Sequence, residues 1–106
     1  MKTVKITVLR KGFYPDLIRQ YLSRPPEDCV CDFFQEGDVF RYTGGAEMPA
    51  GFCPWAWIDL YHTVSALAQG ASYTPWHRRA GINVACCSDG LRPVSFLLEA
   101  EEGPEG

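Results

Sequence analysis

The chain has no apolar run approaching the roughly 18 residues that span a bilayer, so no membrane segment is expected. Its first residues, Met1-Lys2-Thr3-Val4-Lys5-Ile6, alternate in polarity and lack the apolar block of a secretory signal. Basic residues adjoin only in the short pairs Arg10-Lys11 and Arg78-Arg79, which argues against nucleic-acid binding. There is no Gly-rich nucleotide signature, no internal repeat, and no C-x-x-C of the thioredoxin or zinc-ribbon kind. An even cysteine count is absent too: Cys29, Cys31, Cys53, Cys86 and Cys87 make five, which excludes a closed disulfide framework. These absences leave a cytoplasmic protein with reduced thiols as the expectation.

What is present is the composition of an ordinary globule: 106 residues, 46% hydrophobic and 22% charged, with net charge −3. The acids concentrate at the end. With Glu99, Glu101, Glu102 and Glu105 set aside, residues 1–98 hold nine acids against ten bases. One α+β domain over residues 1–100 is expected, followed by a disordered acidic tail over 101–106.

Residues 3–10 alternate, with Val4, Ile6 and Val8 on one face, and read as a half-buried strand. Pro15 suits the first position of a short helix whose stripe is Leu17, Ile18, Tyr21 and Leu22. A strand is expected over Val39–Thr43. The main helix is expected over Pro54–Gly70, with Trp57, Leu60, Tyr61, Val64, Leu67 and Ala68 buried and Asp59 and His62 on the polar side. Two strands close the chain, joined through the Asp-Gly of Ser88–Pro93 as a hairpin. In the first, Cys86 shares phase with Ile82 and Val84 and reads as core, leaving Cys87 the freer thiol; if the helix covers the face of Cys87 instead, the two roles exchange. The order β-α-β-α-β-β predicts a small, mostly antiparallel sheet covered by one long amphipathic helix.

Chemistry concentrates at two places. Cys53 precedes Pro54, so it becomes the residue that opens the main helix, among unpaired N–H groups in a field that favours a thiolate. The competing reading is a small residue packed beneath Phe52 and Trp55. Asp89 and Arg92 sit in the turn after Cys86-Cys87, where Asp89 serves turn geometry or proton transfer, and Arg92 pairs with it or anchors an anion.

The blocks Glu36-Gly37-Asp38-Val39-Phe40, Met48-Pro49-Ala50-Gly51-Phe52-Cys53-Pro54-Trp55-Ala56-Trp57 and Cys86-Cys87-Ser88-Asp89-Gly90-Leu91-Arg92-Pro93-Val94 resemble a family of small uncharacterised microbial proteins. The resemblance runs from Val4 to Phe96 and implies no particular activity or cofactor. It directs attention to Cys31, Cys53, Cys86, Cys87, Asp89 and Arg92. Cys29 falls outside the blocks, Asp32 stands where a proline is expected, and the acidic tail is an extension.

The leading expectation is a small enzyme of isomerase, cyclase or lyase type, free of organic cofactor, acting on an apolar carbonyl-bearing metabolite. Cys53 would be base or nucleophile, Asp89 its proton-transfer partner, Arg92 a support for negative charge and Cys87 an accessory thiol. Phe52, Trp55, Trp57, Trp76 and His77 would line the pocket. Two alternatives stay open: a thiolate site for Zn or Fe built from Cys31, Cys53, Cys86 and Cys87, and a non-catalytic interaction module presenting tryptophans. The expected partner is a small-molecule ligand, with neither nucleic acid nor membrane; a homo-oligomer is left open.

Overall fold

The computed structural model describes residues 1–29 and 31–102. Alternating β-branched residues make β1 (Thr3–Lys11), whose Val4, Ile6 and Val8 are buried. A short helix, α1 (Pro15–Tyr21), and a 3-10 turn (Pro26–Asp28) follow. Then come β2 (Val39–Tyr42), α2 (Pro54–Ala68), β3 (Ile82–Cys86) and β4 (Val94–Glu101). The protein is α+β, with a four-stranded sheet in the order β2-β1-β4-β3 that is antiparallel throughout.

Among the described residues, helix packs on one face of the sheet only. Leu60, Val64, Leu67 and Ala68 of α2 meet Val4, Ile6, Val8, Phe96 and Leu98, burying Phe34 and Phe52 between them. Phe34 lies 5.1 Å from Phe52 and 5.3 Å from Phe96, ring centre to ring centre. Its tilted and edge-on contacts are the arrangements aromatic pairs favour. α2 stops where Gln69 caps it and Gly70 turns at φ 97°, a left-handed conformation natural to glycine. At the far end of β1, Gly12 donates its N–H to the Pro93 carbonyl. A Cβ there would fall 3.0 Å from Pro93 Cγ, so any other residue needs Pro93 to give by a few tenths of an ångström, and this close approach of β1 to the β3–β4 connection favours glycine.

Four expectations need correction. The helix stripe of α1 is not a core stripe: Ile18 is buried, but Leu17, Tyr21 and Leu22 are exposed. Seven residues give α1 two turns, and its main contacts are with the 3-10 turn rather than the sheet. β3 presents its other face to the core: Asn83 and Ala85 turn inward, Cys87 just beyond packs on the core, and Val84 and Cys86 are exposed. α2 ends two residues before Gly70, and Trp57 and Tyr61 are half-buried flanks of the core rather than its centre. Finally, Glu101 is no tail residue. It closes β4 opposite Thr3 and pairs with Arg41 at 3.1 Å, while Glu102 meets Lys2 at 3.4 Å. Residues 103–106 of the expected tail lie outside the described residues.

Candidate functional site

A cavity of about 310 Å³ opens where three segments meet. The segment after the 3-10 turn contributes Cys31 and Phe34. The start of α2 contributes Cys53, Trp55, Ala56 and Asp59. The β3–β4 corner contributes Cys87, Ser88, Asp89 and Arg92, with Val94 behind them. The helix entrance and the 86–92 corner, separate in sequence, therefore face one space.

Each wall has a local cause. Pro54 occupies the first helical position of α2, and Cys53 is its N-cap with extended backbone (φ −78°, ψ 123°). The Cys53 carbonyl accepts the Trp57 N–H at 2.9 Å, but its thiol makes no capping hydrogen bond, so the sulfur remains available to the cavity. Trp55 and Asp59, four residues apart, lie on one helix face. Small, buried Ala56 between them lets a guest approach the helix. Asp59 accepts the Ser88 N–H at 2.7 Å through Oδ2, tying α2 to the corner. Its Oδ1 has no hydrogen-bond partner among the described residues. Cys87 is anchored twice to Val94: its N–H donates to the Val94 carbonyl at 3.1 Å, and its sulfur accepts the Val94 N–H at 3.4 Å.

Asp89 and Arg92 form the most ordered polar unit. Asp89 Oδ1 accepts the N–H groups of Leu91 (2.9 Å) and Arg92 (3.2 Å), and Oδ2 accepts Arg92 Nε at 2.9 Å. Arg92 Nη1 donates to the Cys29 carbonyl at 2.9 Å, so the arginine clamps the segment that carries Cys31 onto the corner. Partial burial pushes the Asp89 carboxyl up. The Leu91 amide, the Arg92 side chain and the Arg92 amide outweigh it and, with the guanidinium charge, hold the carboxyl below its ordinary value. Hydrogen bonding to Asp89 pushes the Arg92 guanidinium up, with the nearby Cys31 and Cys29 sulfurs acting in the same sense. Asp89 is thus an ionised acceptor with both oxygens occupied, which suits an anchor for Arg92 better than a proton carrier.

Of the residues expected in the site, Cys53, Cys87, Asp89, Arg92, Trp55 and Cys31 come together. The others do not. Phe52 is buried in the core beneath, against Phe34 and Phe40. Trp57 turns toward Tyr42 and Tyr61, its indole N–H reaching the Ala46 carbonyl at 3.4 Å. Trp76 is 83% exposed beside His77. His77 accepts the Val84 N–H at 3.0 Å through Nε2, covering the outer edge of β3. This bond requires the neutral ring with its proton on Nδ1, a buried atom without a hydrogen-bond partner among the described residues. Cys86 points off the open face of the sheet, so the four sulfurs of the metal alternative do not converge. Among the described residues, no three His, Cys, Asp or Glu side chains are grouped to hold a metal ion. Cys29 is buried, with its thiol directed to the Pro25 carbonyl of its own turn.

Asp59 and Ser88 are the polar residues the sequence reading missed. Asp59 reads as the solvated partner of His62, three positions on. The signal that finds it is the four-residue step from Trp55, on the helix face that starts at Cys53. No family model, no curated protein and no solved structure matches the chain.

Proposed function

We propose that this cavity is the active site of a small enzyme that isomerises, cyclises or eliminates from an apolar, carbonyl-bearing metabolite without an organic cofactor. One observation carries the reading: three thiols, a half-satisfied carboxylate and a fixed guanidinium face the same apolar-walled space. At about 310 Å³ the cavity is at the small end of ligand sites, which suits a compact metabolite. Cys53 is the base or nucleophile. Asp59, through its unpartnered oxygen, takes the proton-transfer role first considered for Asp89. Arg92, oriented by Asp89, steadies negative charge developing on the carbonyl oxygen. Trp55, 78% exposed, forms the mouth. The reading takes the thiols to be kept reduced, as in a cytoplasm.

A Michael acceptor tests this. Cyclohexenone adds a cysteine sulfur at its β-carbon, and the resulting enolate takes a proton, which is the chemistry proposed for the site. Cys86 is the more exposed thiol, so reactivity governed by access alone labels it first. We expect peptide mapping to show Cys53 labelled about tenfold faster or more, with Asp59→Asn slowing that adduct and leaving Cys86 unchanged. Labelling in order of exposure would sink the proposal.

The interaction-module alternative keeps one supporting observation, the exposure of both Trp55 and Trp76. Uptake of the enone at Cys53 with quenching confined to Trp55 would favour the enzyme.

A further inference from the structure

The sheet face turned away from α2 has an order of its own. Strand register aligns Val39, Thr7, Leu97 and Val84 in one row across β2, β1, β4 and β3. The next row is Arg41, Lys5, Glu99 and Ile82. Val39 and Val84, at the two ends of the apolar row, are 42% and 48% exposed. The charged row is asymmetric, basic on β2 and β1 and acidic on β4.

We infer that this face binds a second copy of the chain, related by a two-fold axis parallel to the strands between β1 and β4. That operation lays β1 over β4 of the partner and β2 over β3. The apolar row then meets itself reversed, Val39 against the partner's Val84 and Thr7 against the partner's Leu97. Lys5, which has no ion pair among the described residues, meets the partner's Glu99, whose Oε2 its own Arg79 holds at 3.0 Å, and the contact repeats by symmetry. A two-fold placed this way puts Lys5 and Glu99 opposite each other twice at the centre of the charged row, while Arg41 at its end meets the partner's Ile82. Edge-to-edge pairing through β3 is the poorer route, since His77 already occupies the Val84 N–H on that edge.

With central strands of nine and eight residues and outer strands of four and five, set about 4.8 Å apart, the face is roughly 19 Å wide, about 28 Å long at its centre and about 15 Å at its edges. This is small for an interface, so the dimer is expected to be weak, with micromolar dissociation. The face lies across the sheet from the cavity, so the inference stands independently of the proposed chemistry.

Sedimentation velocity from about 10 to about 500 μM tests it. The wild-type chain is expected to shift from monomer to dimer across that range. Leu97→Lys and Lys5→Glu each weaken the dimer by about tenfold or more, the second by opposing like charges at both symmetric positions. The charge swap Lys5→Glu with Glu99→Lys restores association to within about threefold of wild type. Circular dichroism of each variant confirms folding, and Val84→Lys on the rim serves should Leu97→Lys fail to fold. A chain that stays monomeric at the highest concentration overturns the inference. So does a dimer indifferent to Leu97→Lys, Val84→Lys and Lys5→Glu, which would place the contact elsewhere, for instance on α1.

Discussion

Phe34→Ala is expected to lower unfolding stability by about 3–5 kcal/mol, the cost of truncating a fully enclosed aromatic ring. Phe34 lies outside regular secondary structure, in the stretch between the 3-10 turn and β2, yet it is 2% exposed. Its ring is in contact with Phe33, Phe40, Phe52 and Phe96, with centroids 5.1 to 5.7 Å away. Four partners from four parts of the chain cannot close over the gap together, so most of the lost volume persists as a void. A domain of this length has roughly 5–15 kcal/mol in total, which puts the variant near the edge of folding. Urea titration should show the midpoint falling sharply at nearly constant slope. Phe33→Ala next door, at a half-exposed ring, should cost about 1 kcal/mol or less. A loss at Phe34 as small as that at Phe33 would mean that this segment is not pinned by its ring. Because Phe34 also lines the cavity, the same void enlarges the site. A small arene able to fill it should recover part of the stability, whereas a polar solute of equal size should not.

This segment shows why part of the site could be read in the sequence and part could not. β1, β4 and α2 are long enough for their periodicity to identify the covered face: Val4, Ile6 and Val8, then Phe96 and Leu98, then Leu60 and Val64 are all buried as their spacing requires. Cys53 at a helix entrance follows from Pro54 standing directly before the helical spacing of Trp57, Leu60, Tyr61 and Val64, since proline suits the first helical position. β3 is different. Of its two faces, Ile82-Val84-Cys86 is plainly more apolar than Asn83-Ala85-Cys87, and hydrophobicity therefore favours the one that lies open. The decision is made by hydrogen-bond register with β4, where Asn83 pairs with buried Leu98 and Val84 with Leu97 on the open side. No local signal carries that register across a seven-residue connection. α1 fails for another reason. A helical stripe needs a surface to cover it, and the chain turns α1 away toward the 3-10 turn, leaving Tyr21 and Leu22 to solvent. The aromatic residues expected around Cys53 were likewise shared out by the tertiary fold: Phe52 to the core, Trp57 to Tyr61, Trp55 to the cavity mouth.

Arg92→Ala is expected to loosen the cavity in a pH-dependent way, and the sign follows from Asp89. The folded carboxyl of Asp89 is held below its ordinary value, so it favours the native state whenever it is ionised. That contribution is fully present above the unfolded carboxyl's pKa and is lost as pH falls through the lower folded value. Replacing Arg92 removes the Nε bond to Asp89 and the Nη1 bond to the Cys29 carbonyl. The guanidinium side is 41% and the carboxylate side 34% exposed, and solvent screening keeps the combined loss to about 1–2 kcal/mol at neutral pH. As pH falls below the ordinary carboxylate range and Asp89 is protonated, the gap between wild type and variant should narrow toward the contribution of the Cys29 bond alone. Asp89→Asn should show the same narrowing from the other partner, since its amide can still accept the Leu91 N–H but carries no charge. The functional readout is separate from these melts. With the clamp gone, the segment bearing Cys31 is released from the corner, and Cys31 alkylation at neutral pH should accelerate several-fold while Cys86 is unaffected. A stability gap that stays constant from neutral to acid pH, with Cys31 no more reactive, would mean that the ion pair is solvated at the surface and does not hold the cavity wall in place.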